Sequence, residues 1–217
     1  MVDEGTEKRQ LHMAAPPKTR IQRQKRKVIL DAALEIFSTE GFRGATLERI
    51  AGQANLSKTN LLYYYPSKEA IFDEVMDGLW LVWMGPLRSI DPNGTPKEEI
   101  AAYIRRKLKL SREHPRESRL FTNELLRGTP SLSPRLAHDL RELVLEKAGL
   151  IGEWMAQGHL AKCDPMHLLF SVWALTRNYA DSDALLRTIL GGGDPFDGAD
   201  SHLQQIFTRL LDVTSAS

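Results

Sequence analysis

The hydrophobic positions of this chain recur at the three-to-four-residue spacing of amphipathic helices, and no alternating strand pattern persists anywhere. The first such stripe is formed by Ile29, Ala33, Ile36 and Phe37, and it closes near Gly41. The pattern therefore predicts an all-α fold that begins with an amphipathic helix.

Two short helices are predicted next, on either side of a tight turn. Thr46 is a candidate N-cap for a helix over 46–53, and Ser57 is one for a helix over 57–64. Asn55 lies between them, where the turn needs a residue that tolerates positive φ. Two short helices after a longer one form a helix-turn-helix, whose second helix enters the major groove of DNA.

The second short helix carries the polar and aromatic side chains that the recognition helix of such a unit, here called the reading helix, needs. Its first turn, residues 57–60 (SKTN), would lie against base edges and phosphates. Leu61 and Leu62 follow, and both are predicted to face inward and anchor the helix. The three tyrosines at 63–65 point in different directions around a helix, so one ring would pack inward while the others send hydroxyls to phosphates.

A fourth helix, capped by Ser67, runs through Ile71 towards Leu79. Beyond it lie further segments of helix length with apolar residues at helical spacing. They are separated by five stretches that contain proline or glycine and are predicted to end helices: IDPNGTP, EHP, RGTPSLSP, CDP and GGGDPFDG. The predicted architecture is a small three-helix N-terminal unit and a larger helical body, with the fourth helix shared between them.

The charge is distributed unevenly along the chain, although the net charge is only +1. Residues 1–70 hold 12 Lys/Arg against 8 Asp/Glu, and the remainder holds 17 against 20. The segment KTRIQRQKRK, residues 18–27, has six basic residues and no acid, so we predict that it is mobile and attracted to phosphates, although such runs are usually only solvated. The predicted domains are a disordered basic arm over 1–20, a helix-turn-helix domain over 21–68, and a ligand-binding and dimerisation domain over 69–217.

Several classes of protein are disfavoured by the composition. Cys163 is the single cysteine, which excludes an intramolecular disulfide and a zinc cluster of several thiolates. The six histidines form no HxxxH or HExxH pair, so no metal site is predicted. No apolar run approaches the roughly 20 residues that span a bilayer, and no secretory signal is visible. A cytoplasmic protein without membrane contact is expected, and no nucleophile–base pair indicates an enzyme.

The runs TLERIA (46–51) and ANLSKTNLLYYYPSKEAIF (54–72) resemble the DNA-binding region of the TetR family of repressors over about residues 25–72. That family usually has Gly where Asn55 stands and Tyr where Leu62 stands. The resemblance implies a repressor that binds a palindromic double-stranded operator and needs no cofactor. The implied DNA contacts are Thr46, Ser57, Lys58, Thr59, Asn60, Tyr63, Tyr64 and Lys68.

A homodimer is expected because one helix-turn-helix reads only a few base pairs. The predicted seam consists of the segments MHLLFSVWALTRNYAD and LQQIFTRLLDV. Their apolar faces comprise His167, Leu168, Val172 and Leu175 in the first, and Leu203, Ile206 and Leu210 in the second.

Segments of the body resemble the uracil-sensing regulators of pyrimidine utilisation within the same family. They include IRRKLKLSREHPRESRLFTNELL and VWALTRNYAD, and together they span most of residues 56–183. The resemblance implies a small pyrimidine-like effector, which needs aromatic walls and a few aimed polar groups. The candidate ligand contacts are Trp83, Phe121, Thr122, Asn123, Trp173 and Arg177.

Arg177 is the departure in this set, because the resemblance implies Gln at its position. A guanidinium offers donors only and is always charged, so it suits an acceptor-rich or anionic ligand better than neutral uracil. The plainer interpretation is that the tryptophans pack in the core and that Arg177 pairs with Asp181 one helical turn away.

The predicted function is a ligand-responsive repressor of pyrimidine or related nitrogen-compound metabolism. The alternative within the family is a multidrug efflux repressor that senses lipophilic cations, whose pockets tend to offer acidic and aromatic walls. An enzyme and a ligand-independent architectural DNA-binder are the rivals from other classes.

Overall fold

The computed structural model describes residues 20–126 and 134–213, and within those ranges it contains ten helices and no strand. The all-α prediction is confirmed. Four of the five predicted helix-breaking stretches lie at junctions between helices, whereas most of RGTPSLSP lies outside the described residues. The helices are α1 (Arg20–Gly44), α2 (Leu47–Gln53), α3 (Lys58–Tyr64), α4 (Lys68–Arg88), α5 (Pro96–Glu113), α6 (Pro115–Leu126), α7 (Pro134–Ala156), α8 (Pro165–Asp181), α9 (Asp183–Ile189) and α10 (Ala199–Leu211).

Most of the basic segment is helical, which corrects the prediction that it is mobile. α1 begins at Arg20, and the Arg26 guanidinium donates to the Tyr64 carbonyl at 2.8 Å and pairs with Glu74. The same guanidinium lies 4.0 Å above the centre of the Tyr65 ring. The contacts of a single arginine thus anchor the segment to α3 and α4. The predicted arm over 1–20 lies outside the described residues except for its last residue.

The DNA-binding unit is built around α1. Ile29 and Phe37 of α1 are fully buried with Ile50 of α2 and Leu61 of α3. Leu62, however, is 38% exposed, so the prediction that it faces inward was wrong. Successive residues on a helix with 3.6 residues per turn point about 100° apart. A short helix that turns Leu61 onto α1 therefore directs Leu62 towards solvent.

α4 belongs to both parts of the molecule. Its N-cap is Ser67, whose hydroxyl oxygen accepts the Ala70 backbone N–H at 3.2 Å, as predicted. Near its start, Phe72 meets Phe37 of α1 edge-on, with ring centres 5.0 Å apart. The predicted domain boundary at 68/69 falls in the first turn of this continuous helix, and it stays a prediction.

The body is assembled around α5, which packs against α8 and α10, while α7 packs against α4 and α8. The buried face of α5 recurs at helical spacing and includes a lysine, a residue that is rarely buried. None of the helices in the described ranges is both long and apolar enough to cross a membrane. That buried face consists of Ile100, Tyr103, Ile104, Lys107, Leu108 and Ser111.

The apolar faces predicted for the dimer seam are divided between the interior and the surface. Leu168 and Val172 of α8 and Leu203 of α10 are buried within their own subunit, so these three are not free to face a partner. Leu175 is 38% and Leu210 48% exposed. The helical periodicity indicated two amphipathic helices, but it could not tell the face that packs on α5 from the one that faces outward.

The turn between α2 and α3 is a Schellman motif with asparagine in the position that usually holds glycine. Asn55 has φ 53°, and its N–H donates to the Gly52 carbonyl at 3.1 Å. The Leu56 N–H donates to the Ala51 carbonyl at 2.9 Å. Together these bonds satisfy the last carbonyls of α2 and set the direction in which α3 leaves the turn.

We predict that Asn55→Ala lowers the free energy of unfolding by about 1 kcal/mol, because a Cβ-bearing residue without a helpful polar side chain is strained at positive φ. Asn55→Gly should be neutral or stabilising. Urea denaturation followed by circular dichroism measures both, and Gln53→Ala, an exposed position two residues earlier, is the control. Equal stability of the Ala and Gly variants would contradict the assigned strain.

Candidate functional site

α3 presents its first turn to solvent, as a reading helix must. Lys58, Thr59 and Asn60 are all exposed. The Ser57 hydroxyl oxygen accepts the Asn60 backbone N–H at 3.1 Å and caps the helix, which leaves its O–H free to donate to a phosphate. The polar residues predicted to contact DNA therefore form one exposed surface at the start of α3.

Lys58 is held by an acidic neighbour on α2. Its ammonium lies 2.6 Å from Glu48 on α2, and this hydrogen bond lowers the pKa of the Glu48 carboxyl. Both side chains are exposed, where an ion pair contributes little stability and a phosphate can compete for the lysine. No pattern in the sequence indicated that Glu48 would form an ion pair with Lys58, a predicted DNA contact.

One of the three tyrosines packs inward, as predicted, and the other two remain accessible to different degrees. Tyr65 is 1% exposed and packs in the core, and burial raises the pKa of its hydroxyl. Tyr63 is 73% exposed, and its ring meets that of the half-buried Tyr64 edge-on at 5.1 Å. The accessible aromatic edge of α3 is thus formed by Tyr63 and Tyr64, and their contacts with DNA stay predictions.

Thr46 and Lys68 both have roles inside the protein. The Thr46 hydroxyl oxygen accepts the Arg49 N–H at 3.3 Å and caps α2. The Lys68 ammonium donates to the carbonyls of Phe42 and Ala45, each at 2.8 Å. Since an ammonium has three N–H donors, only one remains for a phosphate. Lys68 joins the start of α4 to the end of α1, and its predicted phosphate contact stays a prediction.

The body contains a cavity of about 240 Å³ between α4, α5, α6 and α8. Its walls are mostly aromatic, with the Trp83 and Phe121 rings stacked at 6.0 Å and the Trp80 and Phe121 rings edge-on at 4.5 Å. Two cationic side chains complete the lining. The described residues that line the cavity are Trp80, Trp83, Met84, Lys107, Phe121, Trp173 and Arg177.

Lys107 is the most unusual group of the cavity, because its side chain is buried with few partners. It is 4% exposed, and its ammonium donates to the Trp83 carbonyl at the long distance of 3.5 Å. Burial, together with the nearby positive charge of Arg177, lowers the pKa of Lys107 to about 8. No ion pair within the described ranges includes this lysine.

Arg177 pairs with Asp181, as the plainer interpretation of the sequence held, and it also lines the cavity. Its Nε lies 2.9 Å from Asp181 Oδ2. The same carboxylate accepts hydroxyl hydrogen bonds from Ser118 and Thr122 of α6, each at 2.8 Å. Asp181 therefore fixes the guanidinium at the cavity wall and ties α8 to α6.

The structure brings four of the six predicted ligand contacts to one cavity: Trp83, Phe121, Trp173 and Arg177. Thr122 is half-buried and reaches Arg177 only through Asp181. Asn123 is exposed and is not among the lining residues. It lies two positions after Phe121 on α6, which directs it away from the cavity.

Sequence reasoning missed three lining residues, which are Trp80, Met84 and Lys107. Trp80 and Met84 lie on the same face of α4 as Trp83, so helical spacing could have found them. Lys107 falls in the apolar period of α5 between Ile104 and Leu108, and a lysine at such a position was an available sign of a polar function in the core.

Comparison with known proteins assigns the family. Residues 29–75 match the model of the bacterial regulatory proteins of the tetR family, and residues 76–214 match that of the YcdC-like protein C-terminal region. The chain belongs to the TetR family of transcriptional regulators. The match to the N-terminal model contains α2 and α3, and the match to the C-terminal one contains every described residue that lines the cavity.

Relatives support the same family over most of the chain. The chain is 46% identical to the HTH-type transcriptional regulator RutR of Escherichia coli (strain K12) over 167 residues, 77% of this chain and 79% of RutR. It is 27% identical to the HTH-type transcriptional repressor SCO4008 of Streptomyces coelicolor, over 85% of this chain and 93% of that protein. A TetR-like regulator from Rhodococcus sp. RHA1 has the same fold, with a TM-score of 0.64, 21% identity, and coverage of 89% and 97%.

We predict that Glu48→Gln strengthens binding to DNA, because Lys58 is released towards the phosphates. The DNA for this test is a duplex that the purified protein selects from random sequence. The slope of log affinity against log salt should steepen by up to about 0.9, the effect of one added phosphate contact. Fluorescence anisotropy at several salt concentrations measures it. Glu69→Gln removes an exposed acid near α3 without releasing a lysine, so an equal effect of both variants would refute the competition.

Proposed function

We propose that this TetR-family regulator represses genes of pyrimidine or related nitrogen-compound metabolism, and that a small pyrimidine-like effector releases it from its operator. The observation that carries the proposal is the aromatic cavity lined by α4, because the same helix is fastened to the DNA-binding unit. The identity to RutR and the segments that resemble uracil-sensing regulators support the chemical class of the effector. The setting for such a regulator is the cytoplasm.

The cavity suits a single flat ring. Its volume of about 240 Å³ is below the range of about 300–1,000 Å³ that is usual for drug-sized ligands. Its aromatic walls can stack on a ring, and the cationic side chains can bind ring carbonyls. Lys107 and Arg177 disfavour the multidrug alternative, because they would repel a lipophilic cation.

A homodimer is part of the proposal, since two reading helices must bind successive turns of DNA about 34–36 Å apart. Large apolar side chains remain exposed on the two helices that were predicted for the seam. They are Phe170 and Leu175 on α8, and Ile206 and Leu210 on α10. Pairing α8 and α10 with their copies in a second subunit would remove these side chains from water.

The effector signal would pass along α4. At one end Lys68 fastens the helix to the carbonyls that close α1, and Glu74 pairs with Arg26. Two to four turns later Trp80 and Trp83 form the cavity wall. A ring that displaces these indoles would tilt α4 and move the reading helices away from the spacing of the operator.

α6 offers a second connection to the DNA-binding unit. It packs against α1, where Arg116 forms an ion pair with Glu35. One and a half turns later Phe121 lines the cavity. Movement of α6 would therefore act on α1, the helix to which α4 is also fastened.

The test begins with a duplex selected from random sequence by the purified protein, which is expected to be a two-fold repeat. Asn60→Ala should weaken binding to this duplex by about 1–3 kcal/mol, the worth of one base contact, and leave binding to unrelated DNA unchanged. Electrophoretic mobility shifts measure both. Transcription in vitro from a promoter that contains the duplex should fall when the protein is added.

Asn93→Ala is the control, because Asn93 is exposed in the loop between α4 and α5, in the body. Wild-type affinity of the Asn60 variant for the selected duplex would remove that residue from the reading surface. A failure of the selection to enrich any sequence would remove the repressor proposal itself.

A further inference from the structure

The described lining of the cavity offers many hydrogen-bond donors and almost no acceptors. Lys107 supplies an ammonium with three N–H donors, and Arg177 supplies the two terminal amino groups that lie beyond its bond to Asp181. The Trp80 indole N–H, also in the wall, is buried without a hydrogen-bond partner. These three side chains come from three different helices, α4, α5 and α8.

The acceptors near the wall are already occupied. The Tyr103 hydroxyl accepts the Trp173 indole N–H at 2.6 Å, and the Trp83 carbonyl is directed to Lys107. Asp181 accepts from Arg177, Ser118 and Thr122, and it is not among the described lining residues. No described lining residue carries a carboxylate, and the thioether of Met84 is a weak acceptor.

The cavity wall also carries an excess of positive charge, which comes from Lys107 and Arg177. Lys107 and Arg177 are close enough that the positive charge of one disfavours that of the other. Asp181 offsets the charge of Arg177 alone, and no ion pair in the described part of the chain offsets that of Lys107. A buried ammonium with one long hydrogen bond is costly, and an anion placed beside it would remove that cost.

We propose that the effector is a flat single-ring heterocycle that carries one negative charge, bound with its anionic group between Lys107 and Arg177. This inference rests on the proposed function, and it replaces a neutral uracil-like ring by an anionic one. A neutral ring offers only uncharged carbonyl acceptors and leaves the Lys107 ammonium without an anion, whereas a charged acceptor forms stronger hydrogen bonds with cationic donors. A carboxylate on the ring, or ring oxygens that share the charge of an ionised ring, would present charged acceptors to these donors.

Calorimetric titration of the purified full-length protein at pH 7 tests the inference with four probes. Orotate carries its charge on a carboxylate and barbiturate on an ionised ring, whereas uracil and thymine are neutral. At least one of the two anions should bind about tenfold tighter than uracil, or more. The anion that binds tighter shows which of the two groups the cavity prefers. Tighter or equal binding of uracil relative to both anions would overturn the inference.

Two substitutions show whether the cationic side chains cause the preference. Arg177→Gln should bring the anion-to-uracil affinity ratio close to one, and Arg105→Gln, an exposed arginine of α5, should leave it unchanged. Lys107→Met should lower the ratio in the same direction, with the exposed Lys109→Met as its control. A ratio that survives Arg177→Gln and Lys107→Met would place the anion elsewhere and overturn the assignment.

Release of the selected duplex, followed by fluorescence anisotropy, separates this inference from the proposed function. Anions that bind tightly without releasing DNA support the ligand class and contradict the proposed regulation. Uracil that releases DNA more effectively than either anion overturns the ligand class and leaves the repressor intact. No binding of any probe would overturn both.

Discussion

Helix α4 must satisfy two different packing surfaces at once, and the arrangement of the molecule depends on this constraint. The Lys68 ammonium binds the carbonyls of Phe42 and Ala45, which fixes the first turn to the DNA-binding unit. The later turns bury Trp80 and Trp83 against the body. Full burial of one large apolar side chain stabilises a fold by about 1.5–3 kcal/mol, so neither end can detach cheaply. A rigid helix held at both ends passes a displacement from one end to the other.

The cavity lowers the stability of the body, because it leaves the ammonium of Lys107 buried with one long hydrogen bond. A leucine or methionine would pack better at position 107 than the lysine does. Burial disfavours the charged form of Lys107 and lowers its pKa to about 8. Asp181 compensates Arg177 and also joins α8 to α6 through Ser118 and Thr122. Asp181 thus holds the Arg177 guanidinium through its Nε, which leaves the terminal amino groups for the proposed effector.

Features set by short-range physics could be predicted from the sequence, and features set by long-range packing could not. The turn at Asn55 and the cap at Ser57 depend on neighbouring residues only, and both were predicted correctly. The outward direction of Leu62 depends on where α1 lies. The link from Thr122 to Asp181 joins residues 59 positions apart, and no periodicity encodes it. The aromatic walls were found because a resemblance, rather than spacing, singled out those helices.

In the proposed mechanism, a ring bound in the cavity moves the reading helices by way of α4. Gln53→Cys in a Cys163→Ser background places one spin label per subunit on the exposed end of α2, and double electron–electron resonance then measures the distance between the labels. We expect a narrow distance distribution on the operator, where the reading helices lie about 34–36 Å apart, and a clear shift on addition of the probe that binds tightest in calorimetry. An unchanged distance distribution with that probe bound at saturation would contradict the proposed mechanism.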